Sequence, residues 1–200
     1  MAKVLVDKNT GVVYDIERPW LGGNIAGGDD RCQDNAVFDY LIERFNPKSI
    51  IDVGCGEGQL IEYFHDKGLI VIGIDGLEHN KDVASNSIRD KIIIHDYTKG
   101  LLEPIDTDMV ISCEFVEHVH KRFLVNILPQ FVYGNVLVFT HAVENQEGYH
   151  HVNCENDPYW INLITSLGMI YLEKETGEAR GRVGPNSFWG TVLIFKKRFT

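Results

Sequence analysis

Residues 49–60 read SIIDVGCGEGQL: a short apolar run from Ser49 to Val53 breaks into Gly54, Gly56 and Gly58 before a helical pattern resumes at Gln59. A wholly apolar strand, a glycine turn and a helix open a β-α unit, and a strand without alternation belongs to a sheet covered on both faces. The same rhythm extends outward. Upstream, Val37, Tyr40, Leu41 and Phe45 recur at helical spacing and stop at Asn46-Pro47, where proline disfavours helix in the residue before it. Downstream, residues 69–75 (LIVIGID), 92–96 (IIIHD), 108–114 (DMVISCE) and 135–142 (NVLVFTHA) are further apolar strands. Helices are predicted over 79–89, 117–132 and 157–168.

Residues 169–176 (MIYLEKET) and 187–199 (SFWGTVLIFKKRF) predict two closing strands, joined by a Gly/Arg-rich segment with no room for a helix. The expected fold is α/β: a doubly wound, Rossmann-like, seven-stranded sheet with a C-terminal antiparallel hairpin, in three α/β/α layers. Residues 1–200 are expected to form a single domain, with an N-terminal arm over 1–32 and the core over 33–200. In the arm, VLVDKNTGVVYDI predicts a short hairpin and PWLGGNIAGGDD a loop, whose Trp20, Gly22, Gly23 and Asn24 are candidates for a lid.

Composition sets outer limits. With 44% hydrophobic residues in 200, the chain can bury a core, and 19 Lys and Arg against 29 Asp and Glu give a net charge of −10. That sign argues against a nucleic-acid partner. The longest apolar runs fall far below the roughly 20 residues that span a bilayer. The N-terminus lacks the apolar core of a secretory signal, so a cytoplasmic location is expected. Cys32, Cys55, Cys113 and Cys154 form no CxxC pair and are read as reduced.

In a doubly wound sheet, ligands bind outside the carboxyl ends of the strands. The loops after Val53, Asp75, His95, Cys113 and His141 are therefore the candidate site. Gly54, Gly56 and Gly58 let backbone N–H groups approach a ligand, but Gln59 stands where GxGxxG needs its last glycine, which argues against a dinucleotide. Asp75, twenty-one residues after Gly54 at a strand end, is placed to accept the hydroxyls of a ribose.

Asp52 to Gly58, Ile72 to Gly76 and Ser112 to Val119 together resemble the successive motifs of class I S-adenosylmethionine-dependent methyltransferases, over residues 35–142. The resemblance implies S-adenosylmethionine as cofactor and S-adenosylhomocysteine as product. It implies that the Gly54–Gly58 loop cradles the methionine part, with Asp52 anchoring the turn. Asp75, followed by Gly76, would hold the ribose, and Leu77 would face the adenine. Asp96 with Tyr97 would reach the exocyclic amine, while Cys113 and Glu114 would pass close to the cofactor.

Methyl transfer to a hydroxyl needs a base. His150, His151 and Glu114 are the catalytic candidates, and Asn153, Trp160 and Arg180 the candidates for contacting the acceptor, Arg180 an anionic one. Adjacent histidines in an extended loop point to opposite sides, so at most one faces the substrate directly. Gly148, the run His150 to Asn153 and Tyr159-Trp160 resemble a small subgroup associated with glycan and sugar modification in bacteria and large viruses. That implies an O-methyltransferase acting on a carbohydrate or sugar conjugate. The alternatives are transfer to an amine or carboxylate of a small molecule, a non-catalytic S-adenosylmethionine-binding subunit, and a dinucleotide-dependent oxidoreductase. No metal is expected, since no recognised ligand spacing is present; His141, His150, His151 and Glu114 are the set that would converge on one. The oligomeric state is not readable.

Overall fold

The computed structural model describes residues 3–198; the first two residues of the arm, and Phe199 of the predicted closing strand, lie outside the described residues. The arm is a three-stranded antiparallel sheet. Val4–Val6 (β1) pairs with Val12–Asp15 (β2) around a turn in which Asp7 Oδ1 accepts from the amides of Asn9 and Thr10. Gly22–Ile25 (β3) then pairs with β2, where the sequence predicts only a loop. A Cβ on Gly22 would stand 2.2 Å from the Val13 carbonyl oxygen, so this strand closes on β2 only because it carries no side chain there.

Asp34 caps Asn35–Phe45 (α1) by accepting from the Val37 amide, and Asn46 ends it in the left-handed region before Pro47. The β-α alternation then runs Ser49–Val53 (β4), Gln59–Asp66 (α2), Ile70–Asp75 (β5), Glu78–Val83 (α3), Ile92–Ile94 (β6), Met109–Ser112 (β7), Leu124–Tyr133 (α4) and Val136–Phe139 (β8). Asp157–Ser166 (α5), Met169–Tyr171 (β9), Glu173–Arg180 (α6) and Leu193–Lys197 (β10) complete it. The sheet order is β6-β5-β4-β7-β8-β10-β9, with β4 to β8 parallel and β10 antiparallel to both its neighbours. The strand order reverses between β4 and β7, which opens a crevice at their carboxyl ends.

The apolar strands are explained by this layering. Ile50, Ile111, Val138 and Ile194 pack with α1, α2 and α6 on one face, while Ile51, Val110, Leu137 and Leu193 pack with α4 and α5 on the other. Successive residues of each strand are thus all buried.

Three predicted elements are corrected. The helix expected over 79–89 is α for only six residues, and the one expected over 117–132 begins as two single 3₁₀ turns, Val116–His118 and Lys121–Phe123, with extended Val119 and His120 between them. The C-terminal strands pair antiparallel as predicted, but α6 fills their connection and takes Glu173 to Thr176 out of the predicted strand. This helix is held by its tertiary contacts: the Ile194 amide donates to Thr176 Oγ1 at 3.1 Å, Arg44 pairs with Glu175 at 2.5 Å, and Ala179 is buried. Among the described residues, no helix is long and apolar enough to cross a membrane.

Trp160 and Ile164 share the inner face of α5, and the Trp160 ring, fully buried, stands edge-on to Phe139 at 5.6 Å. Trp160→Ala is expected to lower the unfolding free energy by about 3–5 kcal/mol, as buried aromatic truncations do, measured by denaturant titration.

Candidate active site

The turn after β4 is fastened to the end of β5. Ile74 O accepts from the amides of Gly54 and Cys55, and Asp75 Oδ2 accepts from the Gly56 amide at 2.9 Å. The other Asp75 oxygen accepts from the Leu77 amide at 2.8 Å and from the Asn80 side chain at 3.1 Å. Gly54 has φ +82°, and a Cβ there would enter the Phe115 ring at 2.4 Å. A left-handed backbone against an aromatic face admits only glycine.

Two cavities adjoin this turn. The larger, about 540 Å³, is lined by Asp52, Gly54 and Gly56 from the turn, Cys113 and Glu114 from the end of β7, and the arm from Trp20 to Asn24. The smaller, about 310 Å³, holds Asp96, Tyr97, His120 and His150. The two share Trp20, Leu21, Asp75, Gly76, Phe115 and His118 in their walls. Asp52 is buried, its Oδ1 has no hydrogen-bond partner among the described residues, and burial together with the nearby Asp75 charge pushes its pKa up to about 8. Burial likewise raises Asp75 to about 6, although its hydrogen bonds pull the other way.

The arm is tied over the site by hydrogen bonds, Asn24 Oδ1 accepting from the Asn80 side chain at 3.1 Å among them. Glu57 accepts from the Gly27 amide, Trp20 Nε1 donates to Asp96 Oδ2 at 3.4 Å, and Tyr149 Oη donates to the Pro19 carbonyl at 2.8 Å. The residues proposed as a lid thus line the larger cavity, as part of a strand and its approach, and Trp20 lines the smaller one as well.

Acidic and imidazole groups gather in the larger cavity. One ligand atom each from Glu117, His118 and His151 lie within 4.8 Å of one another, and the His118 and His151 rings are 5.1 Å apart between centroids. Glu117 is fully buried, and burial, with the charge of Glu114 added, holds its carboxyl well above the usual range. Burial also raises Glu114, whose Oε1 accepts from Thr140 Oγ1 at 2.9 Å. Burial and the neighbouring His151 bring His118 down to about 4, so its ring is neutral. Glu117 and His118 are not among the catalytic candidates from sequence, where Glu-His at a predicted helix start is compatible with capping; the signal for them is their position straight after the strand-end motif at β7.

Residues 51–128 match the family model described as a methyltransferase domain. Among solved structures, the TehB-like SAM-dependent methyltransferase of Corynebacterium glutamicum superposes with a TM-score of 0.63 at 18% identity, over 86% of this chain and 91% of that one. The plantazolicin methyltransferase BpumL in complex with S-adenosylhomocysteine gives 0.58 at 17%, over 91% and 86%. Residues 51–128 thus match a methyltransferase domain, within a fold shared with solved S-adenosylmethionine-dependent methyltransferases. The ubiquinone biosynthesis O-methyltransferase of Rhizobium johnstonii is 32% identical over 123 residues, 54% of this chain and 50% of that protein. The chain spans about half the length of the curated relatives it matches.

The site fits S-adenosylmethionine. The unpartnered Asp52 carboxyl suits a cationic ligand, the backbone at Gly54 and Gly56 is bare, and the paired cavities accommodate a two-part molecule. Asp52, Gly54, Gly56, Asp75, Gly76, Asp96, Tyr97, Cys113, Glu114 and His151 all line these cavities.

Other candidates lie elsewhere. Gly58 caps α2 away from both cavities, where a Cβ would strike Ile88 at 2.5 Å. Leu77 is packed fully buried with Val13 and Leu21 of the arm. Asn153 donates to the Val116 carbonyl at 3.1 Å and is buried; Trp160 belongs to the core. Arg180 is spent on Asp157 and the carbonyls of Thr191 and Val192, and His141 bonds the other Asp157 oxygen, which removes it from any metal set. The adjacent histidines separate as expected: His150 lines the smaller cavity and His151 the larger.

Because folded Asp52 holds its proton more tightly than the unfolded chain, its contribution to stability is complete below about pH 4 and lost as pH rises through about 8. Asp52→Asn, which cannot ionise, is expected to flatten the fall in melting temperature with rising pH, measured by thermal denaturation across that range. In calorimetry, Asp75→Ala is expected to weaken S-adenosylhomocysteine binding at least tenfold, which is about 1.4 kcal/mol.

Proposed function

We propose that this chain is an S-adenosylmethionine-dependent methyltransferase that acts on oxygen, moving the methyl group of the cofactor to a hydroxyl of a small-molecule acceptor. The observation that carries the reading is the meeting of Glu114, Glu117, His118 and His151 in the cavity that also holds Asp52, Gly54 and Gly56. A hydroxyl is a weak nucleophile until its proton is taken. His151 is the proton acceptor in the protein alone: its Nδ1–H donates to the Gln146 carbonyl at 2.9 Å, which leaves the Nε2 lone pair free.

Bound S-adenosylmethionine supplies a methyl group on a cationic sulfonium, an electrophile that needs an aligned nucleophile. The Gly54–Gly56 turn, with no side chain at either glycine, and the Asp52 carboxyl would hold its methionine part, Asp75 its ribose hydroxyls, and Asp96, Tyr97 and Trp20 its adenine. Trp20 and Tyr149, held by their hydrogen bonds to Asp96 and Pro19, keep water out.

The relatives' name, ubiquinone biosynthesis O-methyltransferase, supports oxygen as the accepting atom. Within hydroxyl acceptors, a carbohydrate or sugar conjugate is the class favoured by the resemblance over 148–160, and the rings of Trp20 and Tyr149 in the cavity wall offer faces for a sugar. Asn153, Trp160 and Arg180 have no part in holding it.

The test is release of S-adenosylhomocysteine with a panel of sugars, nucleotide sugars, phenols, amines and carboxylates, the product located by mass spectrometry. Methylation at oxygen is expected, with kcat falling about 10²–10⁴-fold in His151→Ala, as for loss of a general base, while His150→Ala retains most of its turnover. Transfer to nitrogen or to a carboxylate overturns the reading.

A further inference from the structure

We propose that Glu117, His118 and His151 bind a divalent first-row transition-metal ion in the wall of the larger cavity. Their ligand atoms already lie within 4.8 Å of one another. Both Glu117 oxygens and His118 Nδ1 are buried and have no hydrogen-bond partner among the described residues. Buried polar atoms are almost always satisfied, and an acid with neither oxygen paired, facing two imidazoles, is the arrangement a cation completes.

The third ligand is oriented for the task. His151 Nδ1 donates to the Gln146 carbonyl, which fixes the tautomer with Nε2 as the lone pair, the outer hydrogen bond that metal-bound histidines make. Gly148 leaves room beside that nitrogen, since a Cβ there would fall 2.2 Å from Nε2. The segment carrying His151 is stitched to the turn carrying the other two ligands: the Glu117 carbonyl accepts from the amides of Val152 and Asn153, and the Asn153 side chain donates to the Val116 carbonyl. Asn153, read from the sequence as a substrate contact, is thus a positioning residue.

Two imidazoles with a carboxylate favour ions such as Mn²⁺, Co²⁺ or Zn²⁺ over Mg²⁺ or Ca²⁺, which take oxygen alone. Three side chains leave coordination positions toward the cavity. An acceptor hydroxyl taken up there is acidified by the ion and passes its proton to the Glu114 carboxylate, so that His151 serves as a ligand in the metal-loaded enzyme. That role rests on the O-methyl-transfer reading; the ion site does not.

The full chain, treated with chelator and dialysed, is titrated with Mn²⁺ alone, free ion being followed by its aqueous electron paramagnetic resonance signal. S-adenosylhomocysteine binding is measured separately on the same samples. One ion per chain is expected, with nitrogen coupling in the pulsed spectrum. Glu117→Gln, close to isosteric, and His151→Ala are each expected to weaken Mn²⁺ binding at least tenfold, while His150→Ala leaves it unchanged. Retained S-adenosylhomocysteine binding in Glu117→Gln shows that the variant is folded. Absence of Mn²⁺ binding, or binding that survives both ligand substitutions, overturns the site and leaves the methyltransferase reading untouched. Mn²⁺ binding without methyl transfer to any hydroxyl has the opposite consequence.

Discussion

The parallel register of β4 and β5 is the constraint on which the site depends. Pairing Val53 with Ile74 sets Asp75 one residue past the last matched pair, beside the turn that β4 is entering. Its carboxylate then takes the Gly56 amide with one oxygen and Leu77 and Asn80 with the other. One side chain thereby fixes the glycine turn, the start of α3 and the boundary between the two cavities. A slip of register by one residue would send that carboxylate to the other face of the sheet.

The acids that follow from this geometry oppose stability. Asp52 Oδ1 and both Glu117 carboxyl oxygens are buried without a hydrogen-bond partner among the described residues, in a chain whose net charge is already −10. A structure optimised for stability alone would have an apolar or hydrogen-bonded group at each place. Both line the same cavity and both are relieved by positive charge, Asp52 by the cationic part of the cofactor and Glu117 by a metal ion. Burial of an unpaired acid is tolerated where a ligand completes it.

Much of this was legible because each parallel strand announces itself as an unbroken apolar run, and because the topology then dictates which strand ends face the ligand. Glycine carried less information. In β3 it signals a loop in the sequence, yet Gly22 serves to let two backbones meet, and Gly58 serves packing while its neighbours Gly54 and Gly56 face the cavity. EKETGEAR has no apolar stripe, so α6 was invisible: its reasons for being helical lie on α1 and β10. Trp160 offers an aromatic ring beside polar residues in the sequence, but Ile164 four residues on marks the face they share as the one that turns inward.

The separation of His150 from His151 shows how a local backbone choice reaches function. His150 sits at φ +49°, a conformation rare for a residue with a side chain, and the chain bends there so that neighbouring rings enter different cavities. The arm answers the same bend from the opposite side: Tyr149 stacks on Tyr14 at 5.3 Å and donates to Pro19, while Gly23 lies so close to the His118 ring that a Cβ would be 3.0 Å from it. The arm is therefore part of the wall against which the Glu117, His118 and His151 cluster is packed. A side chain at position 23 would have to displace either β3 or the imidazole, so the glycine-rich approach and the chemistry beside β7 are one steric problem with one solution.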